Sequence, residues 1–171
     1  LKGRYTKYQK TLDAFLFCCY AGMRYSDFVN MKPDNIVEMH QETWLIYKSI
    51  KTGTEVRLPL YLLFSGKGIL ILNKYQANLQ DFFHLRDNSN VNKELIIIAR
   101  LAGVAKKVSF HTARHTNATL LIYNGVNITT VQKLLGHKSV KTTQIYTNVM
   151  DATIISDLEK NHSSVHRKKG K

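Results

Sequence analysis

The chain has 171 residues, 44% of them hydrophobic, and a formal net charge of +13. This is enough for one domain with a core of its own and too little for two ordinary ones, and the excess of cations implies a polyanionic partner, either nucleic acid or an acidic membrane surface. No run reaches the roughly 18 to 20 apolar residues that cross a bilayer, and the start LKGRYTKYQK lacks a signal-peptide core, so a soluble intracellular protein is expected.

Residues 4–20 place Tyr8, Leu12, Phe15, Leu16 and Cys19 on one helical face, with Gly22 as the stop. The adjacent Cys18 and Cys19 would make a strained disulfide that closes no useful loop, so both are read as core thiols. The segment AGMRYSDFVNMKPDNI follows, in which Ser26 is expected to cap a short helix that ends before Pro33. Arg24 stands just after the glycine. Taken by itself it is a surface arginine paired with Asp27 at i+3.

Between residues 35 and 60 the texture changes to short β-favouring runs, IVEM, TWLIYKSI and TEVRLPL, broken at residues 40–42 and 51–53. They predict a small three-stranded antiparallel sheet. A helix of mixed amphipathicity is expected over residues 69–83. Its preceding Gly-Lys-Gly lacks the spacing of a phosphate-binding P-loop. After the polar loop LRDNSN, Asn90 is expected to cap a helix over residues 91–102, with Val91, Leu95, Ile98 and Ala102 inward and Gly103 at its end.

The chemistry concentrates in residues 110–149, FHTARHTNATLLIYNGVNITTVQKLLGHKSVKTTQIYTNV. Ser109 or its neighbour starts a helix that runs to Tyr123 or Asn124, stopped by Gly125, with His111, Arg114 and His115 on one face near its start. Asn127 caps a shorter helix that buries Ile128, Val131, Leu134 and Leu135, and Gly136 ends it and presents His137. Ser139 opens a last segment that carries Tyr146 on a helix or an extended arm. Beyond residue 151, ATIISDLEK is amphipathic, and residues 161–171 form a basic tail expected to be disordered.

These residue types suit one reaction. In-line attack on a phosphodiester builds negative charge on its non-bridging oxygens, so an enzyme without metal must supply fixed cationic donors. An arginine fork grips two oxygens at once and stays protonated, which a lysine point charge does not match. A tyrosine can carry a covalent phosphate ester at the end of a rigid arm, and its reference pKa of about 10 calls for a neighbouring base or cationic pocket, for which histidine is suited. The two cysteines, seven histidines and twelve acids form no paired or grouped ligand pattern, so no metal or other cofactor is expected.

The ordered set His-x-x-Arg-His, Leu-Leu-Gly-His-Lys-Ser and Thr-Thr-Gln-Ile-Tyr resembles the catalytic motif of the tyrosine recombinases, the phage-integrase family, and the likeness spans roughly Tyr5 to Asp151. The KTG hairpin and the HTARHT wording are most similar to integrases of conjugative elements. The resemblance implies an α+β fold, a mainly helical catalytic domain with the small three-stranded sheet, over residues 1–160, and a fragment whose N-terminal DNA-binding domain is missing. It implies a site-specific recombinase that cleaves and rejoins double-stranded DNA through a 3′-phosphotyrosyl link, in the cytoplasm of a bacterium on its nucleoid. The expected assembly is a tetramer of protomers on DNA and a monomer in isolation.

By the same resemblance Tyr146 is the nucleophile, and Arg24, in the family's Gly-x-Arg-x-Ser-Asp/Glu pattern, holds the phosphate with Arg114. His111 takes or shares the tyrosine proton, and His137 donates a hydrogen bond to the phosphate. Lys51, on the second hairpin, protonates the leaving 5′ oxygen, with Lys48 and Arg57 as nearby rivals. His115 is read as a structural or phosphate-orienting neighbour, and Tyr47, Tyr75 and Tyr123 as core or surface aromatics. Residues 151–160 would be the element exchanged between protomers. A type IB topoisomerase and a non-catalytic DNA-binding module are the other readings, and the Leu-Gly-His-Lys-Ser context speaks for a recombinase.

Overall fold

Helix α1, Gln9–Ala21, runs through the centre of the domain. The computed structural model describes residues 6–147. A single 3-10 turn, Thr6–Tyr8, precedes α1, so the helix starts later than its apolar spacing suggests. Its deepest apolar side chains are Ala14, Phe17 and Cys18; of the predicted face Cys19 is buried, whereas Tyr8, Leu12, Phe15 and Leu16 are only partly covered. The difference arises because neighbours pack around α1 on several sides, so no single stripe carries the burial. Cys18 and Cys19 are free, buried thiols, and burial pushes Cys19 up to about 12.

Helix α2, Tyr25–Val29, is capped by the extended backbone of Arg24 and not by Ser26, which falls inside its first turn. Strands β1 (Ile36–Met39), β2 (Glu42–Lys48) and β3 (Glu55–Pro59) form the expected antiparallel sheet in the order β1-β2-β3. The β1–β2 turn is made by His40 and Gln41, both at positive φ, which matches the twist of a two-residue hairpin. The β2–β3 register pairs Leu45 with Leu58 and Tyr47 with Val56, and turns all four inward.

The single helix expected over residues 69–83 is two, α3 (Lys67–Lys74) and α4 (Leu79–Phe83). Two side chains cause the break. Asn78 accepts from the Asp81 amide at 2.9 Å and so restarts the helix, and the Tyr75 ring stacks on Phe82 at 4.2 Å while its hydroxyl donates to Asp13 at 2.9 Å. Helix α5, Asn88–Leu101, is capped by Asp87 in place of Asn90. The Asp87 carboxylate accepts from the amides of Ser89 and Asn90. Starting earlier, α5 buries Val91, Leu95 and Ala99, and leaves Ala102 exposed.

Helix α6, Phe110–Tyr123, opens with a Ser109/Thr112 capping box, and α7, Ile128–Leu134, with Asn127 accepting from the Thr129 amide. Val131 and Leu135 are fully buried, while Ile128 and Leu134 are half-buried. The segment carrying Tyr146 is neither a helix nor an extended arm. It is two 3-10 turns, Val140–Thr142 and Gln144–Tyr146. The amphipathic segment and the basic tail beyond residue 151 lie outside the described residues.

Phe28 is the centre of the core, with its ring 5.3 Å from Phe82, 5.4 Å from Phe83, 6.0 Å from Phe110 and 6.1 Å from Phe17, so α1, α2, α4 and α6 meet there. A polar clamp fixes α6 against the end of α1. Asn117 donates to the carbonyls of Cys19 and Tyr20 at 3.0 and 2.9 Å, two acceptors that a helix C-terminus leaves without an internal partner.

Gly22 closes α1 in the left-handed conformation, φ 68°, and a Cβ there would come within 2.6 Å of Asn117 Oδ1 and 2.9 Å of Leu135 Cδ2. Gly22→Ala is therefore expected to lower unfolding stability by about 1–3 kcal/mol, read by urea denaturation. A change within a few tenths of a kcal/mol would show that this close approach does not constrain the fold.

Candidate active site

Arg114 is 1% exposed, yet it is a cation on the polar helix α6. Its burial is compensated by two carbonyls, since Nη1 donates to Gly22 O at 2.7 Å and Nη2 to Leu135 O at 2.6 Å. Both acceptors sit at helix ends that terminate at left-handed glycines, Gly22 after α1 and Gly136 after α7. Burial, and then the charge of Arg24, lower Arg114 to about 10, so it stays protonated at neutral pH. Two of its five N–H donors are engaged in these bonds, which fix the guanidinium plane and leave others for a ligand.

Arg24 is held from the other side. Its Nη1 donates to Ser49 Oγ at 3.2 Å and lies 3.6 Å from Asp27 Oδ2. The Asp27 side chain is fully buried, so this i, i+3 pair is not the exposed pairing that spacing alone suggests. Asp27 also accepts from the Ile50 amide at 2.8 Å and from Ser49 Oγ at 3.3 Å. One carboxylate thus ties Arg24 to the β2–β3 turn.

Residues 49–54 make that turn, closed by Ser49 N to Thr54 O at 2.9 Å and Gly53 N to Ser49 O at 2.8 Å, and Lys51 is exposed on it. Thr52 Oγ1 donates to Gly136 O at 3.1 Å and so ties the Lys51 turn to the end of α7. Gly136, at φ 62°, permits the approach, because a Cβ would come within 2.6 Å of Val56 Cγ2. Of the possible lysines and arginines here, Lys51 is among the charges that bear on both His111 and His137.

His137 is 7% exposed and its Nδ1 lies 2.8 Å from Thr143 Oγ1. The Gln132 side chain donates to the His137 carbonyl at 3.0 Å, and the His137 amide donates to Gln132 O at 3.0 Å, so the residue is held at both backbone and ring. Burial first, and then the charges of Arg114, Arg24 and Lys51, lower His137 to about 4. The ring is neutral at neutral pH. In the tautomer where Thr143 Oγ1 donates to Nδ1, the ring proton resides on Nε2, a ready donor to an anion.

His111 is exposed on α6 and is also lowered, by desolvation and then by His115, Arg114, Arg24 and Lys51. A neutral His111 can accept a proton. Its ring stands edge-on to His115 at 4.5 Å, and His115 in turn faces the Tyr146 ring at 5.4 Å. Arg114 does not share their outward direction, since it turns into the core between the helix ends. The Tyr146 phenol is raised by desolvation, against the opposing pull of Arg114 and Arg24, so it is protonated at rest.

Arg114, Arg24 and Lys51 act electrostatically on both His111 and His137, and Arg114 and Arg24 act on the Tyr146 phenol, so groups from α1–α2, the β2–β3 turn, α6, the end of α7 and the last turn are linked. Two arginines thus bear on the phenol, and the imidazole that meets its ring is His115. Asp27 was expected only as a surface partner of Arg24, and Thr143 was not singled out from the sequence. Their only signal was position, Asp27 inside Gly-x-Arg-x-Ser-Asp and Thr143 inside Thr-Thr-Gln-Ile-Tyr. Among the described residues, no group of three or more His, Cys, Asp or Glu is assembled as a metal would require.

The sequence model of the phage integrase family matches residues 4–153. The chain belongs to the phage integrase family. A relative, tyrosine recombinase XerD of Listeria monocytogenes, is 50% identical over 155 residues, covering 80% of this chain and 50% of the relative. The chain spans about half the length of the curated relatives it matches over most of its own length. The fold is that of a crystal structure of XerA recombinase, with a TM-score of 0.67 and 24% identity over 90% of this chain and 63% of that one. It is similar as well to the Tn1549 transposon integrase in complex with a circular intermediate DNA, with a TM-score of 0.66 and 14% identity over 90% of this chain and 59% of that one.

The depressed His137 carries a prediction. Because its folded pKa, about 4, lies below the ordinary 6.5, the unfolded chain binds a proton that the folded chain refuses between these values, and stability falls as pH falls through that window. The loss of Tm between pH 6.5 and 4 should be smaller in His137→Gln than in the parent chain. Parallel curves would place the titration elsewhere.

Proposed function

We propose that the chain is the catalytic part of a site-specific DNA recombinase that works on double-stranded DNA through a 3′-phosphotyrosyl intermediate. The joint action of Arg24, Arg114 and Lys51 on His111 and His137, with the two arginines also acting on the Tyr146 phenol, carries this reading, supported by family membership and by the names of the relatives.

In this mechanism Arg114, immobilised by Gly22 O and Leu135 O, and Arg24, immobilised by Ser49 and Asp27, hold the non-bridging oxygens of the scissile phosphate. His137 Nε2–H donates to the same phosphate. Tyr146 Oη attacks phosphorus as its proton passes to neutral His111, a new O–P bond forms, and the bond to the 5′ oxygen breaks. Lys51 gives the departing oxygen its proton. An entering phosphate is favoured because it neutralises cations that repel one another, as Arg24 and Arg114 do.

The tyrosyl ester keeps the energy of the broken bond, so the reverse sequence with a new 5′ hydroxyl rejoins the strand without nucleotide or metal. Exchange between two duplexes needs four strand cleavages, and hence four copies of Tyr146, which points to four protomers on DNA. The reading puts this work in the bacterial cytoplasm, on nucleoid DNA.

A nicked suicide substrate tests it, because loss of the short 5′-hydroxyl strand traps the covalent step. The chain should form a protein–DNA adduct in excess chelator, and Tyr146→Phe should form none. Arg114→Lys should lower adduct formation by about 10²–10³-fold, because the charge stays while the two-carbonyl fork is lost. An adduct in Tyr146→Phe, or near-parent cleavage by Arg114→Lys, contradicts the mechanism.

A further inference from the structure

Tyr146 ends a three-residue 3-10 turn, and elements this short have little rigidity of their own. Its backbone is tied three residues upstream, where the Tyr146 amide donates to Thr143 O at 3.1 Å and fully buried Thr143 is fixed by His137 Nδ1. That anchor sets where the chain passes and leaves the direction of the phenol open. The ring is partly buried against the hydrophobic core, and the aromatic ring that it meets is His115, at 5.4 Å between centroids and an interplanar angle of 59°. His115 is supported from behind by His111, one helical turn earlier, edge-on at 4.5 Å. Among the described residues, no hydrogen bond joins His115 to the phenol. The interaction is ring packing.

We propose that His115 is a positioning residue that holds the Tyr146 ring in its docked direction by tilted ring contact, so that the nucleophile is aimed from the same rigid helix that carries Arg114. This rests on the proposed role of Tyr146 as nucleophile. It adds a division of labour that the sequence does not disclose: neighbouring residues 114 and 115 fix the phosphate and its attacker respectively, and α6 sets the distance between them. His111 backs the His115 ring as well as serving the proton, so the two imidazoles are not interchangeable.

The chain labelled with 3-fluorotyrosine tests the proposal, with the Tyr146 fluorine resonance assigned by Tyr146→Phe. His115→Ala should move that resonance to the position and narrow width of a solvent-exposed tyrosine, and should lower the rate of adduct formation on the suicide substrate roughly two- to tenfold, the range a lost aromatic pair supplies. His115→Phe restores a ring without a titratable nitrogen, and should keep both the resonance and the rate within about twofold of the parent. An unmoved Tyr146 resonance in His115→Ala overturns the proposal. So does a His115→Phe variant that keeps the resonance and loses cleavage, which would assign His115 to proton transfer. Absence of any adduct from the parent chain would sink the strand-cleavage reading instead, and the fluorine comparison would still decide the docking.

Discussion

A buried arginine gripped by two backbone carbonyls is the constraint from which the rest of the site follows. A guanidinium removed from water needs fixed acceptors, and Arg114 finds them in Gly22 O and Leu135 O, at the ends of two helices that are far apart in sequence. For both carbonyls to point at it, α1 and α7 must each stop abruptly, and left-handed Gly22 and Gly136 make them do so. Asn117, on the same helix as Arg114, takes two more carbonyls at the end of α1. The central helix of the core and the helix of the candidate site are therefore joined through polar side chains in addition to apolar packing.

The electrostatics follow from that clamp. Two arginines and a lysine act on the same small volume, and of the buried acids among the described residues only Asp27 contacts this group, while Asp13 is engaged by Lys74 and Tyr75. Burial first, and then the cations, lower His111 and His137, and Asp27 connects Arg24 to the hairpin that presents Lys51. A site of this kind is organised before any anion arrives. Its repulsion is a local cost that the packed phenylalanine core can absorb, and its fixed donors need no rearrangement when charge develops.

Three contacts make the site one body. Thr52 to Gly136 joins the Lys51 turn to α7, His137 to Thr143 joins α7 to the tyrosine segment, and His115 to Tyr146 joins that segment back to α6. The first and the last join chain segments distant in sequence. Movement of the tyrosine segment is thereby linked to the residues that would hold a phosphate.

Much of this was legible in the residues themselves. The three strands, the stops at Gly22, Gly103, Gly125 and Gly136, and the helix starts at Ser109 and Asn127 announce themselves through local rules of alternation and capping, while the six candidate side chains come from the resemblance of their motifs to a family. Other features were not local. One helix was expected where Asn78 and the Tyr75 stack make two, Asp87 and not Asn90 caps α5, and the inner residues of α1 are chosen by neighbours on several sides. The chemistry of the site was thus set down in the order of its residues, because a motif records which groups are needed. How those groups act was decided only by folding: Arg114 turns inward and becomes a fixed fork, Asp27 becomes a buried connector, and His115 comes to face Tyr146. Burial and distance between remote segments are properties of the packed chain, and no window of sequence contains them.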